Sequence, residues 1–149
     1  MKIGKTATLS LKRAQVVVCN GCCCGRVDRG HSEVPIDALK SLWKNYRLRK
    51  KVQLTVSGCL GPCDMHNVAL LMSDRGQIWL GNLRERAEFK ALAEWAHEVI
   101  QKDSEARLPN ILEPHRFERW ETNESEYTLS EVPFANPFAT QPKMEGERC

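Results

Sequence analysis

Four cysteines follow a short β-branched run in the stretch Val16-Val17-Val18-Cys19-Asn20-Gly21-Cys22-Cys23-Cys24-Gly25-Arg26. Two more cysteines follow a second strand-like run in the stretch Ser57-Gly58-Cys59-Leu60-Gly61-Pro62-Cys63-Asp64. Two such loops supply enough soft thiolates for an iron–sulfur cluster or a structural zinc ion. The sequence therefore predicts one metal centre, with the rest of the chain as its frame.

Size and composition favour one soluble domain. The chain has 149 residues, of which 42% are hydrophobic, so an ordinary core is expected. Its longest apolar runs fall short of the roughly 20 residues that a membrane helix needs. The basic start, Met1 to Lys5, is not followed by the apolar segment of a secretion signal. We therefore expect a cytoplasmic protein that does not bind membranes, whose seven cysteines favour metal or redox chemistry.

Charge is divided unevenly along the chain. Residues 1–102 carry a net charge of +8, whereas residues 103–149 carry −5. A basic body can bind nucleic acid, but the one dense basic run, Arg47-Leu48-Arg49-Lys50-Lys51, has no interleaved aromatic residues and no nucleic-acid motif. We therefore expect no nucleic-acid partner. The basic body instead predicts attraction to an acidic partner protein or to the chain's own acidic end.

Periodic apolar residues predict four strands and two helices in the order β-α-β-β-β-α. The strands are predicted over residues 14–18, 52–57, 68–72 and 78–80, and the helices over residues 35–47 and 85–101. Asp74-Arg75-Gly76 predicts a hairpin turn, and Asn82 with Glu85 predicts a capping box before the last helix. The first two strands should be parallel, joined by a crossover helix. Both cysteine loops would then leave the carboxyl ends of neighbouring strands, at the edge where α/β sheets place their sites.

The composition changes after residue 102, which divides the chain into a domain over 1–102 and an extended acidic, proline-containing C-terminal arm over 103–149. The apolar residues of the arm can dock on the body: Ile111, Leu112, Phe117 and Trp120. The end of the arm, from about residue 133, is expected to be disordered. Cys149 is not expected to bind metal.

The cysteine spacing resembles that of the thioredoxin-like [2Fe-2S] ferredoxins. The matching residues are Cys19-x4-Cys24 and then Cys59-x3-Cys63, the latter within Gly-Cys-Leu-Gly-Pro-Cys. The same spacing is similar to that of the small cluster-bearing subunit of respiratory complex I. The run Cys-Asn-Gly-Cys-Cys-Cys-Gly-Arg also resembles ferredoxin-like proteins associated with cobalamin synthesis. The resemblance covers about residues 14–101 and excludes the arm.

The resemblance implies a thioredoxin-like β-α-β-β-β-α sandwich that holds one [2Fe-2S] cluster, transfers electrons and often forms a homodimer. It implies four cluster ligands: Cys19, Cys24, Cys59 and Cys63. Cys22 and Cys23 stand where the family has other residues, so each remains an alternative to Cys24. We therefore expect an electron-transfer protein, not an enzyme. It would exchange single electrons with a redox partner protein whose docking surface is acidic.

Two other functions are compatible with the cysteines. Cys19-Asn20-Gly21-Cys22 follows a strand as a redox C-x-x-C motif does, which favours a thiol–disulfide oxidoreductase. Such a motif opens a helix at once, however, whereas here more cysteines, Gly25 and Gly30 follow. A zinc or iron–sulfur carrier module is the other alternative, because it would explain the surplus cysteines.

Residues next to the cysteines can assist a metal centre. Gly58 and Gly61 let the backbone approach the metal, and their N–H groups can donate to sulfur. His66, three residues after Cys63, is a candidate for a hydrogen bond near the centre. Arg26 and Arg29 flank the first loop, where they are either solvated or offset the charge of a cluster.

Overall fold

The computed structural model describes residues 11–102 and 105–120. Seven main elements follow one another: β1 (Ala14–Cys19), α1 (Ile36–Asn45), β2 (Val52–Ser57), β3 (Ala69–Ser73), β4 (Gly76–Leu80), α2 (Arg86–Lys102) and β5 (Arg116–Phe117). Short 3-10 helices lie between them: Val27–Arg29, Leu48–Lys50, Cys63–Met65 and Asn110–His115. The protein is therefore mixed α/β, as the sequence predicts, and the predicted elements are present with slightly shifted ends.

The strands form one mixed sheet in the order β2-β1-β3-β4-β5. β1 pairs in parallel with β2, and every other pair is antiparallel. Cys19, the last residue of β1, lies opposite Ser57, the last residue of β2. The two cysteine loops therefore leave adjacent strands at the same sheet edge, which confirms the predicted arrangement.

The largest core cluster joins both helices to the sheet. α1 buries Leu39 and Trp43 on one side, and the Trp43 indole N–H donates to the carbonyl of Val52 at 3.1 Å. α2 adds an apolar stripe that includes Phe89 and Leu92. Each such buried side chain contributes about 1.5–3 kcal/mol through removal of apolar surface from water. None of the helices in the described ranges is both long and apolar enough to cross a membrane.

Glu88, and not the predicted capping box of Asn82 and Glu85, holds the start of α2. Glu88 is 8% exposed as a residue, and its carboxylate accepts hydrogen bonds from the N–H groups of Arg84 at 2.6 Å and Glu85 at 3.0 Å. Its other oxygen lies 2.9 Å from Nε2 of His115. The capping prediction was wrong because the N–H of Glu85 donates to Glu88, and the N–H of Asn82 donates to the carbonyls of Met65 and His66.

The predicted hairpin between β3 and β4 is confirmed. β3 ends at Ser73 and β4 begins at Gly76, whose φ of 109° lies in the region that glycine adopts without strain. The two strands pair from Ser73 with Gly76 to Ala69 with Leu80.

β5 is an additional strand that the sequence did not predict. It places Phe117 beside Trp79 and Arg116 beside Leu80. Leu112, in the preceding 3-10 helix, is fully buried, whereas Ile111 is 42% exposed. The described residues before Trp120 belong to one compact unit, although the sequence placed a boundary after residue 102. The end of the arm and Cys149 lie outside the described residues.

Candidate metal centre

The first cysteine loop turns back on itself directly after β1. The N–H of Gly21 donates to the carbonyl of Cys24 at 3.0 Å, and Gly21 and Cys22 have positive φ angles of 91° and 48°. Cys22 lies exposed within this turn, whereas Cys19 and Cys24 at its flanks are only 2% and 3% exposed. The turn therefore leaves Cys22 exposed and buries Cys19 and Cys24.

The second cysteine loop brings Cys59 and Cys63 into contact. Their Sγ atoms lie 3.3 Å apart, and the N–H of Gly61 donates to the sulfur of Cys59 at 3.3 Å. The hydrogen bond with Cys59 and then burial raise the pKa of the Cys63 thiol to about 11. The expectation that Gly61 donates its N–H to sulfur is met at the thiol of Cys59.

Cys22 joins the pair from the second loop. Within the described residues, Sγ of Cys22, Cys59 and Cys63 all lie within 4.8 Å of one another, close enough to share a metal ion. Since Cys22 comes from the first loop, the two loops meet at this group. Cys19 and Cys24 are not part of it.

Cys19 and Cys24 form a second, buried thiol pair. Their side chains are hydrogen-bonded to each other, and this bond, followed by burial, raises the pKa of Cys19 far above its ordinary value. The same bond is the main reason why the pKa of Cys24 is lowered to about 6, and the N–H groups of Val68 and Asn67 contribute to this lowering. Cys19 also receives the N–H of Leu60 from the second loop. The two thiol pairs are therefore neighbours.

The four residues that the family resemblance implies as ligands thus lie in two pairs, one from each loop. The structure places Cys22 next to the pair from the second loop. Cys23 is buried, and its carbonyl accepts a hydrogen bond from Nδ1 of His31.

The donors around these sulfurs fit an iron–sulfur cluster. Thiolates are the ligands of such clusters, and N–H groups directed at sulfur stabilise their negative charge. Four backbone N–H groups do this in the described part of the chain: those of Leu60, Gly61, Asn67 and Val68. The group of three thiols includes no carboxylate, which also fits zinc.

An apolar layer surrounds the buried thiol pair. Cys19 and Cys24 pack with Val68, and partly buried apolar side chains complete the layer: Leu60, Met65, Trp79 and Phe117. Phe117 belongs to β5, so the last strand contributes to the surroundings of the centre. Such a layer restricts the access of water to the sulfurs.

Two histidines lie together beside the first loop. The ring centroids of His31 and His66 are 3.8 Å apart. Nδ1 of His66 is buried and has no hydrogen-bond partner among the residues that the structure describes. His66 therefore contacts His31, and no hydrogen bond from His66 to sulfur is observed in this region.

Arg26 is engaged locally. Its guanidinium forms an ion pair of 2.6 Å with the carboxylate of Asp28, two residues away. The hydrogen bond from Arg26 is the main reason why the pKa of Asp28 is lowered to about 2. The charge of Arg26, one of the two arginines that flank the first loop, is therefore paired with the carboxylate of Asp28.

Asn67 is a functional residue that the sequence analysis missed. Its buried amide accepts the N–H of Gly25 at 2.6 Å and donates to the carbonyls of Ser32 at 2.8 Å and Leu83 at 2.7 Å. The residue has a positive φ of 42°, a conformation in which asparagine is enriched among residues other than glycine. An asparagine shortly after a cysteine loop was the available signal.

Comparisons of this chain with protein-family models, curated proteins and solved structures find no match. The candidate site is therefore defined by the chain's own residues. It consists of two thiol pairs at one sheet edge, an exposed fifth thiol from Cys22, and the N–H groups that point at their sulfurs.

Proposed function

We propose that this protein is a small electron carrier that holds one [2Fe-2S] cluster between its two cysteine loops. The observation that carries the proposal is the convergence of five thiols from two loops at the carboxyl ends of two parallel strands. All-thiolate ligation is typical of [2Fe-2S] proteins. The strand order and the parallel pair are compatible with a thioredoxin-like sandwich, extended here by β5.

The proposed ligands are Cys19, Cys24, Cys59 and Cys63. A [2Fe-2S] cluster takes two thiolates on each of its two irons, and these residues supply two thiol pairs. Cys22 is the competitor for a ligand position because its sulfur lies within 4.8 Å of those of Cys59 and Cys63. When bound, the cluster supplies one-electron oxidation and reduction. The chain's own residues bind it, exclude water from it and donate N–H groups to its sulfurs.

Electron transfer suits this site better than catalysis on a substrate. Four cysteine ligands leave no open coordination position on the irons, so a substrate has nowhere to bind the metal. The net charge of +8 on residues 1–102 supports a redox partner with an acidic docking surface.

Metal analysis tests the proposal directly. Protein purified without oxygen from iron-replete cells should contain about two irons and about two acid-labile sulfides per chain, and it should be coloured. After reduction it should give the paramagnetic resonance signal of a one-electron-reduced cluster. Stoichiometric zinc without iron would contradict the proposal.

A zinc-binding carrier module is the second candidate. It is favoured by the cluster of Cys22, Cys59 and Cys63, because three thiolates within 4.8 Å need only one further ligand to complete a tetrahedral zinc site. Such a protein would be colourless and hold one metal ion. The thiol–disulfide alternative has less support, since Cys19 is hydrogen-bonded to Cys24 and a tight turn, not a helix, follows it.

A further inference from the structure

Arg119 reaches the second cysteine loop from beyond β5. Its guanidinium carbon lies 5.4 Å from the ring centroid of Trp79, within the range of a cation–π contact. One of its terminal nitrogens lies against Gly61, where any added Cβ would collide with it. We call these three residues, Arg119, Trp79 and Gly61, the Arg119 clamp.

β5 determines where the clamp lies. Phe117 pairs with Trp79 across the β4–β5 ladder, and the centroids of their rings are 6.1 Å apart. Both rings also pack beside the buried pair of Cys19 and Cys24. Arg119 follows two residues later, so the indole that lies beside the cysteines also supports the guanidinium. The segment lies outside residues 14–101, to which the family resemblance is confined.

Gly61 is the point at which the clamp meets the metal centre. It lies between Cys59 and Cys63, and its N–H donates to the sulfur of Cys59. Its φ of 115° is a conformation that residues with a Cβ rarely adopt, and a Cβ would also displace the guanidinium. Backbone geometry therefore favours glycine here, and a larger residue would displace the guanidinium of Arg119 from the loop.

We propose that Arg119 is a positioning residue for the metal centre, which holds the second cysteine loop against Trp79 and places a permanent positive charge beside the cluster. This inference rests on the proposed function. A guanidinium stays protonated at all relevant pH values. A nearby positive charge stabilises the reduced cluster, which carries one more negative charge than the oxidised form. Arg119 therefore raises the reduction potential and slows the loss of iron.

Reduction potentials of full-length variants test this role. Arg119→Gln removes the charge, and Arg119→Lys keeps it while removing the planar group. Arg116→Gln is the matched control, since Arg116 lies exposed in β5 of the same segment. We expect Arg119→Gln to lower the potential of the cluster, with Arg119→Lys and Arg116→Gln close to the wild type. Equal shifts for Arg119→Gln and Arg116→Gln would reflect net charge alone and would overturn the proposal.

The possible failures are distinguishable. Wild-type protein that holds no iron and sulfide would contradict the proposed function itself. A wild-type protein that holds the cluster at the same potential as Arg119→Gln would overturn only the role of Arg119. If Arg119→Gln cannot be isolated with its cluster, the reduction potential and the rate of iron loss of Arg119→Lys test the role of Arg119 instead. An unchanged potential with faster loss of iron to a chelator supports the clamp, and a variant identical to the wild type in both measurements overturns it.

Discussion

Asn67 and Gly25 are joined by a hydrogen bond of 2.6 Å between the side-chain Oδ1 and the backbone N–H. Through this bond, a residue that follows the second cysteine loop holds the end of the first. The amide nitrogen of Asn67 also donates to Ser32 and Leu83, so one buried side chain connects three segments around the metal centre.

Replacing Asn67 should therefore destabilise the whole site. Asn67→Gly tolerates the positive φ of 42° but leaves the N–H of Gly25 and two carbonyls without their buried partner. We expect a loss of about 2–4 kcal/mol in the free energy of unfolding, since an unsatisfied buried polar group costs about 1–3 kcal/mol. Urea unfolding measures this loss. Asn45→Gly, at the exposed end of α1, is the control, and equal losses for both variants would show that the amide of Asn67 contributes nothing special.

The cysteine ligands can be identified by serine substitution. The double variant Cys22→Ser/Cys23→Ser, with Cys24 retained, should keep its iron and its visible spectrum, because Cys24 is the hydrogen-bonded partner of Cys19. Cys24→Ser should lose or shift the spectrum. Iron analysis and visible absorption of each purified variant measure the result.

A colourless double variant that is still folded would show that the cluster uses Cys22 or Cys23. The single variant Cys22→Ser then separates these two, because the sulfur of Cys22 lies within 4.8 Å of both thiols of the second loop. Circular dichroism of each variant shows whether the fold is retained when the colour is lost.

Glu88 should make stability depend on acidity. Burial by itself raises the pKa of Glu88, but hydrogen bonds from Arg84 and Glu85 and the neighbouring His115 outweigh it and lower the pKa below its ordinary value of 4.5. A lowered pKa in the folded state stabilises the protein above the unfolded-state pKa, and the contribution disappears as the pH falls through the folded-state value. Wild-type protein should therefore lose this contribution below about pH 4.5.

Glu88→Gln isolates that contribution. Since glutamine does not titrate, the difference in the free energy of unfolding between wild type and variant should be largest at about pH 7. It should shrink towards about pH 4 and below. Urea unfolding at several pH values measures the difference. A difference that stays constant over this range would show that ionisation of Glu88 is not responsible.

Leu112 should contribute to the core although it lies beyond the domain that the sequence delimited. Leu112→Ala removes a fully buried side chain, and we expect a loss of about 2–5 kcal/mol in the free energy of unfolding. Ile111→Ala, at the neighbouring position that is 42% exposed, should cost less than about 1 kcal/mol. Thermal or urea unfolding compares them, and similar losses would mean that residues 110–115 do not pack as described.

The sequence by itself predicted β1 to β4, both long helices and the shared edge of the two cysteine loops. These features follow from local patterns, because apolar residues repeat every two positions in strands and about every 3.6 in helices. Parallel strands joined by a helix place their carboxyl ends together, so the convergence of the loops needed no knowledge of side-chain contacts.

Tertiary structure alone decided which cysteines lie together. Cys22, Cys23 and Cys24 are the same residue type, and the turn closed by Gly21 leaves the first exposed and the last buried. β5 has only two residues, which is too short for a periodic pattern. It forms because these residues pair with β4. Contacts across long stretches of chain, such as Glu88 with His115 and Arg119 with Gly61, depend on packing that no local pattern encodes.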